Sequence, residues 1–233
     1  MRLCIFSDVH GNDVALAAGI RVMNSLHPDA YLFLGDLCGY YPNISYCYDM
    51  LTNLPDLIAI RGNHDEYFLR FNQGDAKSDL EYSQKYGGVP SDVSLDSKNT
   101  SKYLHWLDSL PFTKKINSVL MVHGSPADPV NGRIYSEDLI DKSQRREITD
   151  EIKYVVMGHT HYPLDVSVGG VRWINPGSTG QPRNGCPPSF YFLDCNTNNG
   201  YHVYFHFDRE AFATQMNNIP GVTAYSKEVL WRY

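Results

Sequence analysis

"LCIFSDVHGND", residues 3–13, contains two structural elements and the break between them. Leu3 to Phe6 is a short apolar run of strand type, and "SDVHGN" interrupts it. From Val14 to Leu26 apolar residues recur at helical spacing, with Asn12 or Asp13 as the cap. The same unit then repeats. "DAYLFL" (29–34) reads as a second strand and ends at "GD", a helical stretch runs from about Ile44 to Leu54, and a third strand, Leu57 to Ile60, ends in "RGNHD". Strands alternating with helices predict an α/β layered sheet. Each strand stops at a cluster of Asp, His, Asn and Gly, and the carboxyl edge of such a sheet is where ligands bind.

Further along, residues 66–99 are polar, rich in Tyr, Ser, Asp and Gly, and poorly periodic, which predicts either a helical cap or a long loop. "TSKYLHWLDSLP" (100–111) reads as a capped helix stopped by Pro111. Two strand-like runs follow, Phe112 to Ile116 and Ser118 to Val122, the second ending in "HGSP". Glu137 to Asp150 reads as a helix, leading to the strand Tyr154 to Met157 within "YVVMGHTHYP". Leu164 to Val168, Val171 to Ile174, Phe190 to Leu193 and Tyr201 to Phe207 alternate with Gly, Pro and Asn turns, as antiparallel strands do. The tail from about Glu210 carries no clear pattern. With no repeat, low-complexity segment or linker, residues 1–233 are expected to form one domain.

Composition narrows the function classes. A chain with 42% hydrophobic and 20% charged residues is ordinary globular material. A net charge of −6 and no basic cluster beyond "KSQRR" (142–146) argue against a general nucleic-acid-binding surface. The apolar run at the N-terminus is too short for a signal peptide, and no run reaches membrane-spanning length. Five scattered cysteines without a C-x-x-C pair suggest neither a disulfide framework nor a zinc knuckle, so a reduced, cytoplasmic protein is expected.

Alone, the two histidines of "GHTH" decide little, since loop histidines are more often solvated than ligating. Collected, the strand-end clusters are Asp8 and His10; Asp36; Asn63, His64 and Asp65; His123; and His159 with His161. Two carboxylates, several imidazoles and an amide oxygen exceed what one tetrahedral zinc requires, and suit two divalent cations. No cysteine joins a cluster, which favours Mn, Fe, Zn, Ni, Co or Mg over a thiolate site.

In order, "DVH" (8–10), "GD" (35–36), "GNHD" (62–65), "VHG" (122–124) and "GHTH" (158–161) closely resemble the five blocks of the calcineurin-like metallophosphoesterases. "GDLCGYYPNI", "RGNHDEY", "HGSP" and "INPGSTGQPRNG" are similar to the small bacterial and archaeal phosphodiesterase-type members. The resemblance implies a two-layer β-sandwich flanked by helices, a four-layer αββα fold. It implies that Asp8, His10, Asp36 and His161 hold one metal, and that Asp36 bridges to a second held by Asn63, His123 and His159. The two histidines of "GHTH" would then face different metals across an extended backbone at Thr160. A hydroxide shared by the metals would attack the phosphorus in line. His64, to which the family gives no metal, is expected to serve the leaving oxygen. Asp65 is expected either to orient that ring or to cap the following helix. Asn12 is expected either to contact phosphate or to cap the first helix, and Arg183 to pair with phosphate. Tyr40 and Tyr41 are candidates for a pocket wall.

Protein Ser/Thr phosphatases of the superfamily continue their second block with a further Asp and Arg, where this chain has Gly39 and Tyr40. That departure favours hydrolysis of a phosphodiester, or otherwise of a small-molecule phosphomonoester or dinucleoside polyphosphate. A non-catalytic, metal-binding scaffold is the reading from another class, and the retained His64 argues against it.

Overall fold

The structure, a computed structural model, describes residues 1–74, 97–137, 140–146, 148–183, 185–219 and 222–232. Ten strands form two five-stranded sheets. The first sheet has the order β10 (Asn199–Tyr204), β9 (Ser189–Asp194), β1 (Arg2–Phe6), β2 (Ala30–Phe33), β3 (Leu57–Ala59). The second has the order β4 (Thr113–Ile116), β5 (Val119–Val122), β6 (Tyr154–Val156), β8 (Val171–Asn175), β7 (Leu164–Val168). Strands β1, β2 and β3 run parallel, as do β5, β6 and β8. The late strands were expected to be antiparallel, and β7–β8 and β9–β10 are. The two hairpins divide, however: β8 pairs parallel with β6, while β9 returns to the first sheet antiparallel to β1.

The alternation of side chains along each strand builds the layers. Leu3 and Ile5 of β1 face Val119, Met121, Tyr154, Val156 and Ile174 of the other sheet, forming the central core. Cys4 and Phe6 point the opposite way, into helices α1 (Asp13–Ser25), α2 (Ile44–Thr52), α3 (Asn63–Asn72) and α4 (Ser97–Ser109). On the second sheet Val122, Val155 and Trp173 pack against Ile134, Ile140 and Ile152. That outer layer holds little helix. Of the helix expected over Glu137 to Asp150, the described residues form only α5, Lys142–Arg146. Asp141 starts it by accepting from Ser143 N and Gln144 N, and Ile140 and Ile152 cover the sheet as irregular chain instead.

The segment expected as cap or loop opens as helix, because α3 continues through Asn72; residues 75–96 of it lie outside the described residues. The tail that showed no pattern forms α6 (Arg209–Asn217) and α7 (Ala224–Val229). Phe212, Met216, Val229 and Leu230 bury themselves against Tyr41. Among the described residues no helix is long and apolar enough to cross a membrane.

Candidate metal centre

The carboxyl ends of the parallel strands from both sheets deliver their loops to one edge, where backbone hydrogen bonds lace them together. Asp8 N donates to Gly35 O, His10 N to Asp36 O, Gly158 N to His123 O, and Gly180 N to Asp8 O, each at 2.8–3.0 Å. These loops turn sharply. Asp8 (φ 56°), His10 (54°), Asp36 (61°), His159 (65°) and His161 (66°) all occupy the left-handed region, which non-glycine residues rarely adopt. Such strain persists where the surroundings over-determine it, and it concentrates at functional sites.

The backbone at "GHTH" differs from the extended form expected. Thr160 N donates to Gly158 O at 2.7 Å, closing a γ-turn about His159. Asn175, at the end of β8, holds this turn by donating to Gly158 O (2.7 Å) and Thr160 Oγ1 (3.1 Å). Two positive-φ corners, rather than strand alternation, send the two imidazoles in different directions. His161 joins Asp8 and His10, while His159 joins Asp36 and His123.

All seven residues expected to hold metal are buried at this edge. Their tautomers follow from their partners, because a carbonyl can only accept. His10 Nδ1 donates to Cys38 O (2.8 Å), His123 Nδ1 to Leu34 O (2.7 Å) and His161 Nδ1 to Gln181 O (2.5 Å). In its neutral form each ring would therefore turn an Nε2 lone pair inward. There His10 Nε2 and His161 Nε2 meet at 3.1 Å, and His161 Nε2 lies 3.3 Å from Asp8 Oδ1. On the other side His123 Nε2 lies 3.0 Å from Asn63 Oδ1 and 3.3 Å from Asp36 Oδ2. Asp8 Oδ1 and Asp36 Oδ2 accept no hydrogen bond although both are fully buried. A buried cluster this rich in acceptors is costly unless a cation enters it. The donor set is oxygen and imidazole nitrogen, so it fits divalent cations of the borderline class.

The electrostatics carry the same imprint. Asp36 pushes the His123 imidazole up to about 9 against its burial, so without metal a proton takes the position a cation would hold. Burial moves His10 down to about 4 and His159 down to about 3, leaving both rings neutral and able to ligate.

His64 lies among the same groups. Its ring is 4.7 Å from that of His10, and its backbone N donates to Asp36 Oδ1 at 2.8 Å. One nitrogen of His64 also lies within reach of a point shared with His10 and Asp36. Burial holds its pKa well below the usual imidazole value. Asp65 does not orient this ring through any hydrogen bond seen among the described residues. Its Oδ2 accepts from Gly62 N (3.0 Å) and Asp36 N (2.9 Å) and its Oδ1 from Cys38 N (3.0 Å), capping α3 and clamping the Asp36 loop at once.

The structure places Asn12 behind the site. It is fully buried, its Oδ1 accepts from Ala15 N at 3.0 Å, and its Nδ2 donates to Gly180 O at 2.9 Å. Capping and this cross-loop bond engage both polar ends and leave one N–H of Nδ2 unassigned. Arg183 does line the cavity of about 300 Å³ above the cluster, as do Asp36, Tyr40, His64, His159 and His161. Tyr41, the other tyrosine considered, is buried against Phe212, with ring centroids 5.4 Å apart. Arg133, Tyr225 and Arg232 also line the cavity and were not singled out from sequence. Arg133 follows "HGSP" by only a few residues, a weak signal, whereas Tyr225 and Arg232 come from the unpatterned tail.

Comparison with known proteins agrees with this geometry. A metallophosphoesterase of Sphaerobacter thermophilus superposes with a TM-score of 0.80, at 25% identity, over 100% of this chain and 99% of its own. A protein of Pyrococcus horikoshii OT3 gives a TM-score of 0.78 at 21% identity, over 99% and 98% of the two chains. An uncharacterized protein of Methanocaldococcus jannaschii is 28% identical over 212 residues, 82% of this chain and 81% of that one. The family profile described as the calcineurin-like phosphoesterase superfamily domain matches residues 1–198. With the profile spanning every strand-end cluster, the chain belongs to the calcineurin-like phosphoesterase superfamily.

Proposed function

We propose that this protein is a dinuclear metal-dependent phosphoesterase acting on phosphodiesters. One observation carries the reading: imidazole nitrogens and unpartnered carboxylate oxygens converge in three overlapping buried groups, Asp8–His10–His161, His10–Asp36–His64 and Asp36–His123–His159, linked through His10 and Asp36. Asp8, His10, Asp36 and His161 would hold one cation, and Asp36, Asn63, His123 and His159 the other. When bound, such a pair of cations supplies water of lowered pKa and neutralises phosphoryl oxygens.

The remaining work falls to this chain's own side chains. Arg133, whose Nε lies 3.1 Å from His159 Nε2, presents its guanidinium to phosphoryl oxygens on that flank. His64, buried and neutral, offers its ring to the leaving oxygen as a hydrogen-bond donor. The phosphodiester anion beside it raises its pKa, so the same ring becomes able to release a proton as the ester bond breaks. Gly39 leaves the space this ring occupies, because any side chain there would run into it. A second Asp and an Arg, as in the protein phosphatases, are absent at Gly39 and Tyr40, which supports a diester or a small-molecule ester over a phosphoprotein.

Metal content and hydrolysis of paired aryl phosphodiester and phosphomonoester substrates test the proposal. About two metals per chain with faster diester turnover is the expected result. His64→Ala should cut diester turnover by roughly 100-fold or more and leave metal content intact. No retained metal after reconstitution with manganese would refute the dinuclear centre. Metal retained without turnover of either substrate would favour the scaffold reading.

A further inference from the structure

Three of the chain's eleven arginines, and among the described residues no lysine, line the cavity above the metal cluster, in a protein whose net charge is −6. They stand on opposite flanks. Arg133 touches His159, in the group formed with Asp36 and His123. Arg183 and Arg232 belong to the other side, gathered by Tyr40. The Tyr40 ring meets those of His10 and His64 at 4.8 and 5.1 Å. Its hydroxyl accepts from Arg183 Nη2 at 3.2 Å, and its ring stacks on that of Tyr225 at 6.2 Å. Arg232 in turn lies 5.1 Å over the Tyr225 ring. Tyr225 comes from α7 and Arg232 from the third residue beyond it, past the part of the chain that the family profile matches.

We infer that Arg183 and Arg232, carried on the Tyr40–Tyr225 pair, form a subsite for a second phosphoryl group, so that the substrate is a phosphoester bearing at least two phosphates. This rests on the proposed function, in which the metal cluster and Arg133 take the reacting phosphoryl group. Among the described residues Asp36 is the only carboxylate lining the cavity, and it belongs to the metal cluster. Glu228, at the end of α7, engages Arg232 four residues on through one nitrogen at 3.0 Å, in an exposed pair. Such pairs are weak, and the rest of the guanidinium fork remains able to meet a phosphate. Burial pushes the Tyr40 phenol up to about 12, so it stays a neutral donor beside the two cations.

The test compares methylphosphonate with methylenediphosphonate by titration calorimetry on manganese-reconstituted protein, for the wild type, R183Q, R232Q and the double variant. The wild type should bind the diphosphonate more tightly. Each single variant should lose roughly 10-fold for the diphosphonate and less than about threefold for methylphosphonate, at unchanged metal content. If the double variant keeps the wild-type preference, the metals alone create it and the subsite is refuted. Equal loss of both anions would assign the arginines to the reacting phosphoryl group and likewise overturn the inference. Failure of methylphosphonate itself to bind the reconstituted wild type would instead overturn the metal centre, and the subsite with it.

Discussion

Asn12→Ala distinguishes a structural role from a substrate contact at a position where the sequence allowed both. The side chain is fully buried and makes two hydrogen bonds, one capping α1 at Ala15 N and one to Gly180 O. Loss of the cap costs about 1 kcal/mol. Leaving the Gly180 carbonyl buried without its donor adds roughly 1–3 kcal/mol. A total near 3 kcal/mol lowers the melting temperature of a chain this size by about 6–12 °C. Asn12→Asp separates the contributions, because a carboxylate still caps the helix but meets the Gly180 carbonyl oxygen with no proton to donate. Denaturant unfolding of the metal-free protein should therefore show both variants destabilised, with Asn12→Asp retaining the cap. Gly180 N also donates to Asp8 O, and this strap carries Gln181, which orients His161, so metal retention should weaken in parallel. An Asn12→Ala protein with wild-type unfolding and a raised KM would refute the reasoning and make Asn12 a substrate residue.

Gly39→Ala combines a φ of 100° with a methyl group directed into the His64 ring, so turnover should fall while metal content holds; normal turnover would show that His64 does not need this space. The metal-free protein should be most stable in a narrow window around pH 6.5. Below that window His10 and His159, held near 4 and 3, bind fewer protons folded than unfolded, so stability falls as pH drops below 6.5. Above it His123, raised to about 9, keeps a proton that the unfolded chain has lost, so stability falls again as pH rises from about 6.5 to 9. A flat denaturation midpoint from pH 5 to 9 would contradict the assigned shifts. Acid should also release bound metal, because protons compete for the same imidazoles.

Much of the molecule was legible in its sequence. Local patterns identified the order of the strands and the helices α1, α2 and α4, because each element is specified by its own periodicity and by a cap or a breaker beside it. All seven residues expected as ligands lie at strand ends, positions that a chain of short apolar runs advertises directly. Where they meet is another matter. Five of these residues sit in left-handed turns held by hydrogen bonds from loops distant in sequence, so the sequence suggested an extended "GHTH" where a γ-turn exists. The same holds for Asp65, whose three donors lie on the backbones of three residues, and for Asn12, whose second partner is 168 residues away. The tail shows the limit most clearly. Its helices become visible only when Phe212 and Met216 bury against Tyr41, and only that docking brings Tyr225 and Arg232 to the cavity. Residue types and local spacing therefore specified the strands and the ligand chemistry, whereas contacts between remote segments decided backbone angle, tautomer and the lining of the cavity. Those properties depend on which partner arrives from elsewhere in the chain, and no local pattern encodes that arrival.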